Sequence, residues 1–224
     1  YALRSSARGA ALSAVSEKAL LDGFATLVQL ITPENLGLGQ EAFTLEPVEL
    51  RDAPSMGFRG IHLCVFPETE LFTLEKLIHI AGFLKLTHVV LEFWGMLRYE
   101  SCPYIAWEGR AFTKEQIRPL VRLAHAYGME VIPMINHFGH ATQSRVAIGR
   151  HVLLDQNPRL QLLFEPDGWT WCLSNPDTHA LLAALRAELC ELCGAGSYFH
   201  IGCDEAYSFA TCPKCAARVP YELY

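Results

Sequence analysis

The sequence predicts an α/β protein of the (β/α)8 TIM-barrel type, with about the first four strand-helix units present after a small α+β segment. Short apolar runs alternate with helix-length amphipathic runs from residue 59 onward, which indicates a parallel sheet covered by helices. Polar side chains follow several of these apolar runs, as they do at the active-site face of a barrel. No Gly-rich phosphate loop follows the first run, so an open nucleotide-binding sheet is disfavoured.

The first part of the chain, residues 1–50, is expected to form a small α+β piece. Residues 1–16 alternate loosely around a glycine, as two short strands joined by a turn would. Residues 16–31 follow as a helix with Ser16 as its N-cap, and residues 32–40 break the pattern. The apolar residues of this helix form one stripe, made of Leu20, Phe24, Leu27 and Ile31.

The second part, residues 51–224, is expected to be the N-terminal half of the catalytic barrel. Its predicted strands are 60–65, 88–93, 130–135 and 198–203. Its predicted helices are 73–86, capped by Thr73, then 113–129 and 175–194. Half a barrel would leave an open sheet edge. We therefore expect either a missing C-terminal half or a partner, such as a second copy of the chain, that completes the barrel.

Composition excludes some partners. The formal net charge is −6, from 24 acidic against 18 basic residues without a basic run, which disfavours nucleic acid. No apolar stretch approaches the roughly 20 residues that a membrane helix needs, so we expect no membrane partner. The eight cysteines are too sparse for a disulfide scaffold, which favours free thiols in a reducing compartment and a cytoplasmic location.

Two carboxylates, Asp204 and Glu205, stand side by side directly after the fourth predicted strand. Strand alternation places His200 and Asp204 on one face, with Glu205 just beyond the strand. Because two carboxylates this close are costly to ionise together, one should keep a proton near neutral pH. A protonated acid beside an ionised carboxylate is the arrangement that glycosidic bond cleavage requires. The competing interpretation is that the pair merely caps a following helix.

Polar side chains also follow the second and third predicted strands. Glu92 and Trp94 end the second strand, and Asn136, His137 and His140 follow the third. The two histidines could bind a metal, but no third ligand stands at a convincing spacing, so we expect no metal there. Histidines in such a position more often orient a substrate or a carboxylate by hydrogen bonding.

Cysteine spacing gives an alternative from another class of protein. Cys190-x2-Cys193 and Cys212-x2-Cys215 formally match a four-cysteine zinc pattern, which would make the chain a zinc-binding module. The first pair falls in a predicted helix, however, and a predicted core strand separates the two pairs. A smaller metal site or a redox role for Cys212 and Cys215 alone is a further alternative. The preferred interpretation needs no cofactor.

Several motifs together resemble one known family. "HIGCDE" (200–205) resembles the H-x-G-G-D-E signature of the family-20 β-N-acetylhexosaminidases, with Cys203 in place of the second Gly. "FRGIHL" (58–63) is similar to the first barrel strand of that family, and "EVIPMINHFGHA" (130–141) to a later strand end. The match is closest to the hexosaminidase D-like branch, and the resemblance covers nearly the whole chain. It implies that residues 1–50 are the C-terminal part of the small α+β domain that precedes the barrel in many members of the family.

The resemblance implies a retaining exo-β-N-acetylhexosaminidase that hydrolyses terminal N-acetylglucosamine or N-acetylgalactosamine. Glu205 would be the general acid/base, and Asp204 would hold the substrate's 2-acetamido group, which attacks the anomeric carbon and forms an oxazolinium intermediate. His200 would hydrogen-bond near Glu205. The residues implied to bind the sugar are Arg59, Glu92, Trp94, Asn136 and His140.

The resemblance also leaves an alternative open. A chain with half a barrel could be a catalytically silent carbohydrate-binding or assembly subunit. Asn136 stands where many relatives carry an Asp that partners the signature histidine, so His200 would lack a negative partner. The expected partner in either case is a carbohydrate, a β-linked N-acetylhexosamine glycoside.

Overall fold

The computed structural model describes residues 1–35, 41–143, 152–194, 196–218 and 222. Its strands are β1 (Ala2–Ser6), β2 (Gly9–Ser13), β3 (Thr32–Asn35), β4 (Glu41–Thr44), β5 (Glu49–Arg51), β6 (Gly60–Val65), β7 (His88–Phe93) and β8 (Glu130–Met134). Its α-helices are α1 (Glu17–Leu30), α2 (Leu71–Phe83), α3 (Lys114–Ala126), α4 (Val152–Gln156) and α5 (Pro176–Cys193). Short 3-10 helices lie at Pro103–Ile105 and Pro158–Leu163.

The first sheet is antiparallel, with the strand order β2-β1-β5. Residues Ala2 to Ser6 pair with Ser13 to Gly9, and Gly9, at φ 128°, directly follows the turn at residues 7–8 that joins β1 to β2. Helix α1 follows, and the Ser16 side chain accepts a hydrogen bond from the Ala19 backbone N–H at 3.2 Å. The predicted strand pair, helix and N-cap are therefore confirmed.

The buried face of α1 differs from the predicted apolar stripe. Leu20 and Phe24 are 45% and 58% exposed, and the buried positions are instead Asp22, Gly23 and Ala25. A side chain at Gly23 would lie only 2.5 Å from Leu12 on β2, so a small residue is needed for the close packing of α1 on its sheet. Shape at this interface outweighs hydrophobicity, and the predicted stripe faces outward.

A second antiparallel pair was not expected. Strand β3 pairs with β4, with Thr32 opposite Thr44, where the sequence predicts only a break over residues 32–40. Of that range, residues 36–40 lie outside the described residues.

The second three-stranded sheet has the order β6-β7-β8. At the amino ends of β6 and β7, the Arg59 carbonyl accepts a hydrogen bond from the His88 N–H at 3.1 Å. At their carboxyl ends, the Val65 carbonyl accepts one from the Trp94 N–H at 3.0 Å. Because the amino ends of β6 and β7 lie side by side, as do their carboxyl ends, these two strands are parallel, as predicted.

The fourth predicted strand is reduced to a single bridge. His200 pairs in parallel with Met134, and its N–H donates to the Pro133 carbonyl at 3.0 Å. Gly202 and Glu205 both have φ of +50°, which bends the backbone out of an extended pleat. The prediction that alternation aligns His200 with Asp204 is therefore wrong.

Capping residues explain the ends of two helices. Thr113 and Gln116 exchange side chain to backbone hydrogen bonds of 3.3 and 2.9 Å at the start of α3, which forms a capping box. Asn175 caps α5, whose last turn is followed by Gly194 at φ 89°. Helix α2 begins at Leu71, two residues before the predicted cap Thr73, and ends at Phe83.

The chain divides into two compact units. One comprises residues 1–61, 75–89 and 123–130, and the other comprises residues 62–74, 90–122 and 131–224. The second unit contains the carboxyl ends of β6, β7 and β8, where the candidate site lies. The predicted division at residue 50 stays a prediction. Over the described residues, no helix has the length and apolar character needed to span a membrane.

Candidate active site

The two adjacent acids share one histidine. His140 Nε2 lies 3.0 Å from Glu205 Oε2 and 3.4 Å from Asp204 Oδ2. The side chains of Asp204 and Glu205 are 59% and 48% exposed, whereas His140 is buried. Solvent therefore reaches both carboxyl groups, while a fixed imidazole holds them on their protein side.

The backbone around the pair is unusual. Glu205 has φ of +50° and His140 has φ of +56°, a region that costs a non-glycine residue about 1–3 kcal/mol. A side chain at Gly139 would lie 2.4 Å from the Asp204 carbonyl oxygen, so glycine permits this close approach. The Trp169 indole N–H donates to the Glu205 carbonyl at 2.5 Å. The surrounding chain thus holds Glu205 in a backbone conformation that a non-glycine residue rarely adopts.

Aromatic side chains line the region beside the acids. The His140 ring lies 4.9 Å from the Trp94 ring and 4.3 Å from the Trp169 ring, measured between centroids. Tyr207 stacks on Trp169 at 6.2 Å. Its hydroxyl is hydrogen-bonded to Glu205, and this bond, with partial burial and the two nearby carboxylates, raises the pKa of Tyr207. Such rings offer apolar faces on which a sugar can pack.

Glu92 is the centre of a second polar group at the ends of β6 and β7. It accepts a hydrogen bond from Asn136 Nδ2 at 2.6 Å and lies 3.0 Å from His62 Nε2. Cys64 donates to it at 3.4 Å. Burial alone would raise the pKa of Glu92, but the bonds from His62, Asn136 and Cys64 together lower it. Glu92 is therefore ionised at neutral pH.

One polar atom of this group has no partner. Asn136 Oδ1 is buried and accepts no hydrogen bond from the described residues, although the Asn136 amide N–H donates to Glu92. A buried acceptor without a donor is costly, and a ligand hydroxyl would satisfy it.

Sequence reasoning missed two members of this group and one neighbour of the acids. His62 and Cys64 lie two residues apart on β6, so strand alternation could have placed them on one face with the polar strand ends. Tyr207 carries no comparable signal, because its contact with Glu205 depends on the turn after the acid pair.

Within the described residues, His200 does not make the predicted hydrogen bond near Glu205. Its Nδ1 accepts a hydrogen bond from the Gly202 N–H at 3.1 Å, and its ring lies 5.9 Å from the His62 ring. His140 makes the histidine contact with Glu205 that was predicted for His200. The bend at Gly202 explains the exchange, since it turns the acids away from the direction of the strand.

Arg59 does not lie with the other predicted sugar-binding residues. It precedes β6, at the amino end of the strand, whereas Glu92 and Asn136 lie at carboxyl ends. Its guanidinium donates to the carbonyls of Met56 at 2.6 Å and Lys85 at 2.7 Å, and pairs with Asp22 at 3.4 Å. These partners occupy the guanidinium in this structure, and the role of Arg59 in gripping a sugar stays a prediction.

The alternative of a four-cysteine zinc site is wrong, because Cys190 and Cys193 do not lie with Cys212 and Cys215 in the cluster of metal-ligating side chains. Cys190 is exposed and Cys193 is buried on α5, and neither belongs to a cluster of metal-ligating side chains within the described part of the chain. Cys212 and Cys215 do belong to one, but with other partners.

Comparison with known proteins finds similarity to one family of enzymes. Residues 86–222 match the model of the glycosyl hydrolase family 20 catalytic domain. A β-hexosaminidase of Porphyromonas gingivalis is 26% identical over an alignment of 236 positions, which covers 96% of this chain and 29% of that protein. Hexosaminidase D of Bos taurus is 26% identical over 141 residues, which cover 62% of this chain and 36% of that protein. The chain thus spans about a third of the length of these relatives.

Solved structures share the fold. The Flavobacterium johnsoniae chitobiase matches with a TM-score of 0.78 and 23% identity, over 100% of this chain and 36% of that one. A Vibrio harveyi exo-β-N-acetylglucosaminidase in complex with N-acetylglucosamine matches with a TM-score of 0.77 and 19% identity, over 100% and 40%. The predicted fold class, part of a (β/α)8 barrel, is confirmed.

Proposed function

The chain belongs to glycosyl hydrolase family 20, and we propose that it carries the acid pair of a retaining exo-β-N-acetylhexosaminidase. The observation that carries the proposal is the contact of one buried histidine, His140, with both of the adjacent acids, Asp204 and Glu205. The substrate would be a β-glycoside of terminal N-acetylglucosamine or N-acetylgalactosamine. Relatives named β-hexosaminidase and hexosaminidase D support this choice.

Glu205 is the proposed general acid. Its carboxyl group is half exposed, so a glycosidic oxygen can approach it from solvent. Glu205 would donate its proton to that oxygen as the bond to the anomeric carbon breaks. It would then take a proton from the water that attacks in the second step. His140 Nε2 and the Tyr207 hydroxyl flank the carboxyl group and fix its orientation.

Asp204 is the proposed partner of the substrate's own nucleophile. The acetamido carbonyl oxygen would attack the anomeric carbon, and the leaving oxygen would depart with the proton from Glu205. The resulting oxazolinium ring carries a positive charge, which an ionised Asp204 would stabilise. Water would open the ring from the opposite face, so the product keeps the β configuration. Adjacent acids are useful here because one serves the leaving group and the other the internal nucleophile.

The polar group around Glu92 is proposed to bind the sugar. Glu92 is ionised and would accept hydrogen bonds from sugar hydroxyls, as would the unpartnered Oδ1 of Asn136. The Trp94 ring lies against His140 and would provide an apolar surface for the sugar ring. Glu92 and Trp94 lie at the carboxyl end of β7, and Asn136 follows β8, as does His140, which contacts the acids.

The proposal is tested by hydrolysis of aryl 2-acetamido-2-deoxy-β-glucoside and its galacto isomer. We expect release of the aryl group by the wild-type chain and by Glu108→Gln, an exposed carboxylate outside the site. Glu205→Gln should lower kcat by about 10²–10⁴-fold while binding of N-acetylglucosamine persists.

Two outcomes would contradict the proposed activity. Equal rates for Glu205→Gln and Glu108→Gln would assign the release to another group or to a contaminating enzyme. Sugar binding by the folded wild-type chain without release would instead identify a catalytically silent carbohydrate-binding subunit.

A further inference from the structure

A second cluster of reactive side chains lies apart from the acid pair, between the segment around residues 165–174 and the turn at 211–215. Its members all have one ligand atom within 4.8 Å of the others and are all buried; they are Glu165, Cys172, Cys212 and Cys215. None of them has a role in the proposed glycosidase chemistry.

The sulfur atoms are spaced as zinc ligands are. Cys172 Sγ lies 3.5 Å from Cys212 Sγ and 3.8 Å from Cys215 Sγ. Two thiolates bound to one zinc ion at about 2.3 Å in a tetrahedron lie about 3.8 Å apart. A disulfide would need about 2.05 Å, and all three cysteines are free.

The carboxylate of Glu165 lacks a counter-charge. One oxygen, Oε2, accepts hydrogen bonds from the backbone N–H groups of Thr211 at 3.0 Å and Cys212 at 2.5 Å. The other oxygen, Oε1, is buried and has no hydrogen-bond partner among the described residues. No basic side chain in the described part of the chain forms an ion pair with Glu165. Burying an ionised carboxylate is costly unless a cation compensates it.

The turn Cys212-Pro-Lys-Cys215 presents its two sulfurs together. The Cys215 N–H lies 3.0 Å from the Cys212 carbonyl and 3.4 Å from Cys212 Sγ, so it points at both acceptors. A backbone N–H directed at a sulfur favours the thiolate, which is the form that binds metal. The C-x2-C spacing is also the one that structural zinc sites use.

We propose that Glu165, Cys172, Cys212 and Cys215 bind one zinc ion in a closed, structural site. Three thiolates and one carboxylate complete four-coordination and leave no position for a catalytic water. The thiol protons are released to solvent when the metal binds, and no electron transfer is involved. Thiolate-rich donor sets favour zinc over calcium or magnesium, which take oxygen ligands.

The site would hold the segment that carries the acid pair. Trp169, close to Cys172 in sequence, donates to the Glu205 carbonyl, and Ser208 donates to Asp167 at 2.7 Å. Zinc would therefore join the segment around residues 165–174 to the turn at 211–215, close in sequence to these two hydrogen bonds. Its expected role is to stabilise the backbone conformation of Asp204 and Glu205, not to take part in bond cleavage.

The test is the metal content of the purified chain, measured by plasma mass spectrometry after expression in zinc-supplemented medium. We expect about one zinc per wild-type chain. Cys172→Ser and Cys212→Ser should lose most of it, and Glu165→Gln should bind zinc more weakly. Cys190→Ser, an exposed cysteine on α5, is the matched control and should keep its zinc.

A second measurement covers the case in which a variant does not fold. Replacement of zinc by Co²⁺ in the wild-type chain should give a thiolate-to-cobalt charge-transfer absorption. A folded wild-type chain that takes up neither metal, or a Cys190→Ser variant that loses zinc as Cys172→Ser does, would overturn the proposal. A Cys172–Cys212 disulfide found by mass spectrometry would also overturn it. None of these readouts depends on glycosidase activity.

Discussion

Single residues determine how the acid pair is held. His140 contacts both Asp204 and Glu205 and lies between the Trp94 and Trp169 rings, so its orientation is fixed by packing as well as by charge. Its left-handed backbone conformation brings the imidazole to the acids. In the proposed mechanism His140 is therefore a positioning residue, which would act on the substrate through the carboxyl groups it orients.

His140→Gln is expected to lower kcat by about 10–100-fold, because Glu205 loses a fixed hydrogen-bonding partner. The pH dependence of kcat should shift as well, because a glutamine amide does not reproduce the contact of the His140 ring with both carboxyl groups. The measurement is a pH profile with the aryl 2-acetamido glycoside. A lower rate with an unshifted profile would indicate a purely structural role.

Gly139→Ala is expected to reduce activity strongly, because the new methyl group would lie 2.4 Å from the Asp204 carbonyl and displace the backbone of the acids. Gly57→Ala is the matched control, as nothing lies within 4 Å of the added carbon there. Rates and thermal unfolding of both variants are compared. Equal rates for the two variants would contradict the close approach of Gly139 to the acids.

At the scale of elements, an ion-pair network joins the segment after β7 to α5. Buried Lys114 contacts Glu188 at 2.8 Å and Glu100 at 3.0 Å. Glu188 also accepts hydrogen bonds from the backbone N–H groups of Glu100 and Ser101. The network fixes the segment that begins with Trp94, one of the proposed sugar-binding residues.

The pKa of Glu188 makes this network sensitive to acid. Burial alone would raise the pKa, but bonds from Lys114 and from Ser101 and Glu100 lower it to about 2. A lowered folded-state pKa means that the stabilisation is fully present above the unfolded-state value, 4.5. It is lost as the pH falls from there towards 2.

Glu188→Gln should therefore lower the free energy of unfolding at pH 7 by about 1–3 kcal/mol, and by progressively less as the pH falls below 4.5. Glu191→Gln on the same helix removes only an exposed pair with Arg118 and should cost less than about 1 kcal/mol. Urea unfolding of both variants across pH checks this. A pH-independent difference would show that the charge of Glu188 is not responsible.

Elements were predictable where local signals agree. The bounds of β6 and β7 follow the apolar runs, and α5 lies between a capping Asn175 and Gly194. The buried face of α1 was not predictable, because close packing at Gly23 decides it. The prediction of a fourth strand over residues 198–203 was wrong for a similar reason. An apolar run does not reveal that Gly202 adopts a left-handed backbone conformation.

At the scale of the whole molecule, alternation of strands and helices predicted a parallel sheet covered by helices, and the polar side chains at the strand ends favoured part of a (β/α)8 barrel over an open sheet. The site was predictable in so far as strand ends meet at one edge, which brought Glu92 and Asn136 together. Contacts between segments that are far apart in the sequence could not be predicted. Cys172 is 40 residues from Cys212, and no spacing rule connects them.

In the proposed mechanism the acid pair cleaves glycosides with the help of the substrate's acetamido group. The most direct measurement compares Asp204→Asn with the wild-type chain on two aryl β-glucosides, one with and one without the 2-acetamido group. We expect kcat/KM to fall by about 10²-fold or more on the acetamido substrate only, because Asp204 is proposed to act on that group. An equal fall on both substrates would contradict the proposed mechanism.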